Sequence, residues 1–221
     1  MLILLYVAVY VKQKYLFHVP YRHVIILTMI QPYAARTNEK MKEVLMNPEA
    51  TAPEVHYYMI RGGSEKKNIT IWESGNVGGE YIKTYGHYHI IDFKETYWII
   101  EGEGILLLQT RQKDENGNDI DDKVERFKAI KVKAGDKIEI PSFTGHLVVN
   151  TGKTWLVTSD DSPVNLDDSA SMPEHADYEA VKKMKGFAYY VVEKDGEPSL
   201  VKNENYSFVP EAFITTLNKN I

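Results

Sequence analysis

The chain has 221 residues, no cysteine and a formal net charge of −5. That length supports one well-packed domain with room for a terminal addition. The missing cysteines exclude disulfides and cysteine-based zinc fingers, and the acidic balance argues against an extended nucleic-acid surface while leaving room for a local basic pocket.

Met1 to Val11 is a continuous apolar run. It is too short to span a bilayer as a helix, and it lacks the basic leader and small-residue cleavage site of a secretory signal. Its Tyr6, Val7, Val9, Tyr10 and Val11 suit a buried strand. Residues 1–30 are therefore read as an N-terminal apolar extension and residues 31–221 as a single domain, with no membrane partner. Asn38 is expected to cap a helix over Glu39–Met46, whose Met41, Val44 and Leu45 form an apolar stripe. Asn47-Pro48 ends it.

From Glu54 onward the pattern is β. Strands are predicted at Val55–Arg61, Asn68–Glu73, Glu80–Ile90, Glu95–Ile100 and Ile105–Gln109, with a Gly62-Gly63-Ser64 turn after the first. A polar hairpin tip covers Arg111–Asp122. Further strands follow at Val124–Val132, Lys137–Ile140, Gly145–Asn150 and Thr154–Ser159. Ser171-Met172-Pro173-Glu174 reads as a capping box opening a helix whose Ala180, Val181 and Met184 are buried and which Gly186 stops. A return strand over Gly186–Glu193 and an Asp195-Gly196 turn complete the pattern. Many short strands with few short peripheral helices predict an all-β double-sheet jelly-roll barrel.

The chemistry sits in Gly86-His87-Tyr88-His89, with Glu95 downstream and His146 later in the chain. Side chains two apart on a strand share a face, so His87 and His89 point the same way. Three imidazoles and a carboxylate suit a borderline divalent ion with positions left open for a substrate or water. His18, His23, His56 and His175 have no such partners and read as ordinary surface or core residues.

These residues resemble the two motifs of the cupin superfamily: His87, His89, Glu95 and Gly102 in the first, Gly135, Pro141, His146 and Asn150 in the second. More narrowly, Met41 to Tyr206 is similar to the cupin-type glucose-6-phosphate isomerases of archaea and some bacteria. Tyr57-Tyr58-Met59-Ile60-Arg61-Gly62, Thr84-Tyr85-Gly86-His87-Tyr88-His89, Asp177-Tyr178 and Gly186-Phe187-Ala188-Tyr189-Tyr190 carry that likeness.

The resemblance implies a metal-dependent aldose–ketose isomerase acting on glucose 6-phosphate and fructose 6-phosphate, cytoplasmic and homodimeric. It implies His87, His89, Glu95 and His146 as ligands of one divalent metal ion per chain, Fe(II) first, then Mn, Ni or Zn. It implies Glu95 and Tyr97 as catalytic residues and Thr70, Thr84, Gly86, Tyr97 and Tyr178 as substrate contacts; the charge of the nearby side chains makes Lys83 or Arg61 the candidate charge partner of the phosphate. Two positions depart from the pattern. Ala176 stands where some relatives carry histidine before Asp-Tyr, with His175 one place earlier, and Thr158-Ser159-Asp160-Asp161 replaces a phosphate-proximal aromatic. A cupin iron dioxygenase and a non-catalytic sugar-binding cupin are the competing readings.

Overall fold

Eight strands pair in nested fashion, first with last, and this pairing builds the barrel. In the computed structural model, which describes residues 33–61, 68–164, 173 and 175–217, one sheet has the order β1 (Ala34–Thr37), β2 (Val55–Ile60), β3 (Asn68–Trp72), β12 (Leu156–Asp160), β7 (Glu95–Glu101), β10 (Lys137–Ile140). A second runs β13 (Ala176–Asp177), β6 (His87–His89), β11 (Gly145–Asn150), β8 (Glu103–Lys113), β9 (Asp119–Lys133), β16 (Ile214–Thr216). A smaller third sheet holds β15 (Glu197–Lys202), β14 (Tyr189–Lys194), β5 (Glu80–Tyr81) and β4 (Asn76–Val77). Antiparallel pairs β3·β12, β6·β11, β7·β10 and β8·β9 enclose one another in sequence. That nesting, split over two sheets, is the jelly roll expected from the sequence.

The middle of the second sheet, β11 and the first half of β8, is buried on both faces. Ile105, Leu106, Leu107 and Leu108 are all buried, so the strand reads as an unbroken apolar run instead of an alternation. One face of this sheet lines the barrel. Over the other lies the 186–206 segment, fixed through Gln109, whose Oε1 accepts from the Ala188 N–H at 2.9 Å and whose Nε2 donates to the Tyr206 hydroxyl at 3.1 Å.

Several local expectations need correction. The first helix spans Asn38–Met41 and continues as a 3-10 turn over Lys42–Val44. Its cap is Thr37, whose Oγ1 accepts from the Lys40 N–H, because the Asn38 side chain is engaged by His56 Nε2 at 3.0 Å. Leu45 is already extended but buried, as are Met41 and Val44. The strand expected over Glu80–Ile90 is broken: β5 joins the third sheet and β6 the second. Gly86, at φ +81°, turns the chain between them.

The late helix covers only Glu179–Lys183. Pairing of Ala176 with His89 and of Asp177 with Tyr88 takes the residues before it into the sheet. Asp177 Oδ1, which accepts from the Ala180 N–H at 3.1 Å, then does the capping. Ala180, Val181 and Met184 are buried as expected. The return strand begins at Tyr189, later than expected, and belongs to the third sheet. The Asp195-Gly196 turn has both φ values positive, as a tight hairpin requires. Residues 1–30 with the Met1–Val11 run, the Gly62-Gly63-Ser64 turn and Ser171, Met172 and Glu174 of the capping box lie outside the described residues.

Candidate metal centre

Cross-strand register assembles the site. His146 on β11 stands directly opposite His87 on β6, so their side chains share a face, and His89 joins them two residues on. Glu95, the first residue of β7, faces them from the other sheet. His89 Nε2 and His146 Nε2 each lie 3.2 Å from Glu95 Oε2, and His146 Nε2 lies 3.2 Å from His87 Nε2. All four donor atoms fall within 4.8 Å of one another. Two ligand atoms bonded to one cation at about 2.1 Å sit roughly 3–3.4 Å apart, so the cluster has the spacing of a coordination sphere.

Electrostatics agree with that reading. Burial drives His87 well below the ordinary imidazole range, keeping it neutral. Burial would raise the Glu95 carboxyl, but the charge and hydrogen bonds of His146 and His89 outweigh it and keep Glu95 ionised. A neutral His87 and an ionised Glu95 are the states in which these two side chains can bind a metal ion. The Nδ1 atoms of His89 and His146 are buried without a hydrogen-bond partner. Packing orients these rings instead. Tyr97 contacts His146 edge-on at 5.5 Å between centroids, and Phe93 meets His89 edge-on at 5.2 Å.

Two glycines let the ligand strands approach. A Cβ on Gly145 would stand 2.7 Å from two ring carbons of Tyr88, and one on Gly86 would meet Phe187 at 3.0 Å and the His146 carbonyl at 3.2 Å. Tyr88, between the paired histidines but on the opposite face, is stacked on Phe187 and covered by the Arg111 guanidinium 4.2 Å from its ring centre. Its hydroxyl receives a hydrogen bond from Gln109 Nε2. Arg111 in turn binds Asp121 at 2.8 Å and Asp177 at 3.3 Å.

The remaining sequence candidates lie at different removes from the cluster. Glu95, Tyr97 and Ile99 share a face of β7; register sets Asp160 opposite Tyr97 and Thr158 opposite Ile99, with Asn68 and Thr70 beyond them. Thr70 is therefore two rows from Glu95, next to Thr158, whose hydroxyl oxygen is buried without a partner. Thr84 Oγ1 accepts from the Val148 N–H at 3.1 Å, which leaves its own proton free to donate. The Tyr178 ring lies 5.0 Å from that of His87.

Lys83 is not a charge partner for a ligand. Its ammonium is buried against Glu80 and donates to the Val44 carbonyl at 2.7 Å. His175 is no ordinary residue either: its ring is buried 5.8 Å from His89 and 4.8 Å from Phe93, with Nε2 3.0 Å from Ser162 Oγ. Asp160 stands directly across from Tyr97, and no motif marked it.

Residues 36–209 match a protein-family model described as glucose-6-phosphate isomerase. The chain belongs to the glucose-6-phosphate isomerase family. Within it, the glucose-6-phosphate isomerase of Thermococcus gammatolerans is 29% identical over 175 residues, covering 77% of this chain and 80% of the relative. That of Thermococcus onnurineus is 34% identical over 140 residues, 62% of each chain. The Pyrococcus furiosus glucose-6-phosphate isomerase is 31% identical over 140 residues, again 62% of each. The aligned part of this chain thus spans about 62% of the length of several curated relatives it matches. Among solved structures, the Drosophila melanogaster CENP-C cupin domain is 12% identical with a TM-score of 0.34, covering 51% of this chain and 74% of that one. The jelly-roll assignment rests on the strand order alone.

Proposed function

We propose that this member of the glucose-6-phosphate isomerase family is a metal-dependent aldose–ketose isomerase interconverting glucose 6-phosphate and fructose 6-phosphate. The observation that carries the proposal is the convergence of His87, His89, Glu95 and His146 on one point in a chain of that family. These four side chains would hold one divalent cation, with Fe(II) the first choice and Mn, Ni or Zn also compatible with the ligands. Bound there, the cation supplies Lewis-acid polarisation of the sugar carbonyl.

The chain's own groups do the rest. Isomerisation moves one hydrogen between C1 and C2 with no net redox change. Glu95 is the candidate base if that hydrogen travels as a proton, and a hydride shift directly between the two carbons is the other route. Tyr97, on the same face of β7 and against His146, borders the reacting carbons. Tyr178, beside His87, closes the opposite wall. The Thr84 hydroxyl, with Thr70 and the backbone at Gly86, faces the phosphate, whose binding energy orients the sugar.

Residues 31–221 form the catalytic domain in this reading. A homodimer in the cytoplasm is its expected setting; no helix among the described residues is long and apolar enough to cross a membrane. The test is a fructose 6-phosphate turnover assay on protein stripped with chelator and resupplied with single divalent ions. Turnover should vanish on stripping and return with one or more ions. A folded, metal-loaded protein with no turnover under any of them overturns the proposal.

A further inference from the structure

A single carboxylate ties three separate parts of the chain together beside Tyr178. Glu43 lies on the 3-10 turn Lys42–Val44. Its Oε2 accepts from the Tyr85 hydroxyl at 2.6 Å and from Lys40 Nζ at 2.7 Å, while its Oε1 pairs with Lys182 Nζ at 3.1 Å. Tyr85 belongs to the segment that leads into the histidine pair, and Lys182 to the late helix, Glu179–Lys183. Burial would raise the Glu43 carboxyl, but its hydrogen bonds with Lys40, Tyr85 and Lys182 outweigh burial and lower it to about 2, so the acceptor is ionised near neutral pH.

These contacts are not equal. The Lys40 and Lys182 side chains are 44% and 47% exposed, and ion pairs that reach into water contribute little. Tyr85 is buried. A hydrogen bond from its hydroxyl to a carboxylate is of the strong, charge-assisted kind. The backbone of this segment is fixed independently. The Tyr85 N–H donates to the Tyr57 hydroxyl at 3.2 Å. Thr84 before it is bonded to Val148 twice, its N–H donating to the carbonyl at 2.9 Å and its Oγ1 accepting from the N–H at 3.1 Å. Loss of the Glu43 contact therefore frees the ring of Tyr85 and not the backbone that carries His87.

That ring is what reaches the site. Tyr85 packs on Tyr178 with centroids 5.9 Å apart, and Tyr178 packs on His87 at 5.0 Å. Tyr178 also directly precedes the late helix, and its carbonyl accepts from the Lys182 N–H at 3.0 Å. Glu43 thus reaches Tyr178 by two routes, through the Tyr85 ring and through the helix that Lys182 anchors.

We propose that Glu43 is a positioning residue: by fastening the Tyr85 hydroxyl it holds Tyr178 against His87, and so sets the wall on which the substrate lies. The role of Tyr178 as that wall rests on the isomerase reading; the linkage from Glu43 through Tyr85 does not.

The experiment measures KM and kcat for fructose 6-phosphate on the metal-loaded full chain, with metal content and hydrogen exchange at residues 180–184 recorded in parallel. Glu43→Ala and Tyr85→Phe should each raise KM by about tenfold while bound metal stays stoichiometric, because the displaced contact lies away from the ligands. Glu43→Gln, which keeps a neutral acceptor, should fall between them and the wild type. The double variant should be no worse than Glu43→Ala alone, since both changes remove the same bond. Exchange at Lys182 and Met184 should quicken in the same variants. Tyr189→Phe loses a phenol hydrogen bond to the Pro210 carbonyl beside the third sheet and should change neither quantity. Should Glu43→Ala unfold, Tyr85→Phe decides, because it removes one oxygen atom and keeps the ring. An unchanged KM in a folded Tyr85→Phe overturns the positioning role, whatever the exchange shows. If the wild type has no isomerase turnover, that reading falls alone, and unchanged exchange in Tyr85→Phe then overturns the linkage from Glu43.

Discussion

The two barrel sheets contribute to the site in unlike ways. The second sheet supplies three imidazoles from strands packed on both faces, with Tyr88 wedged behind them between Phe187 and Arg111. The first supplies Glu95 and Tyr97, and its other face is wetter: Ile100 is 54% exposed, and Lys94 pairs with Glu139 in solvent. Ligand geometry therefore depends on a doubly packed layer with little freedom, while the groups assigned to substrate lie toward a margin that can adjust. Rigidity and adaptability are divided between layers.

The hardest way to break this division is to remove a ligand from the rigid layer. His146→Ala should lower metal affinity by more than about a hundredfold, beyond what loss of an outer partner costs, and abolish turnover with it. Elemental analysis after dialysis checks the first effect and the fructose 6-phosphate assay the second. A His146→Ala protein that retains stoichiometric metal contradicts the assignment.

A subtler strike leaves every ligand in place. Gly145→Ala pushes a methyl group to 2.7 Å from the Tyr88 ring, a contact the packed layer cannot relax. The expected cost is about 1–3 kcal/mol, read as a lower urea midpoint together with weaker metal binding. If the midpoint falls and metal affinity does not, the packing behind the histidines is structural only.

The third prediction sharpens the contrast from the first sheet. His56 on β2 is buried against Asn38; burial, with the charge of Lys83, depresses it to about 4. The unfolded imidazole binds its proton near pH 6.5 and the folded one only near 4, so the unfolded state holds more protons between those values. Stability should thus fall as pH drops from 6.5 to 4, by roughly 3 kcal/mol at most. Urea unfolding of the wild type against His56→Gln across that range isolates the effect. The wild-type curve should show the steeper loss, and parallel curves would contradict it.

How far the amino-acid sequence disclosed all this depended on the range of the interaction involved. The His87–His89 spacing was readable because strand periodicity is local, and Gly145-His146 stood in a recognisable second motif. The run Ile105–Leu108 announced a buried strand by composition. The break at Gly86 was not readable: β-formers on both sides disguise a turn that becomes necessary only because Leu147 and Phe187 crowd the position. The late helix was placed too early because the claim of β6 on Ala176 and Asp177 is a pairing across more than eighty residues. His175 looked isolated for the same reason, since its neighbours His89 and Phe93 arrive from another part of the chain.

The nested strand order bears on how a cation would reach the proposed site. His87 and His146 are separated by 59 residues and meet only when β11 inserts between β6 and β8. Such closure is dominated by distant contacts and is slow compared with local structure formation. Before the barrel shuts, a nascent chain would offer a cation His87, His89 and Glu95 from one short segment, without His146. If the proposal holds, high-affinity loading would be a late event, with the finished cage selecting the cation ahead of whichever ion the growing polypeptide encounters first.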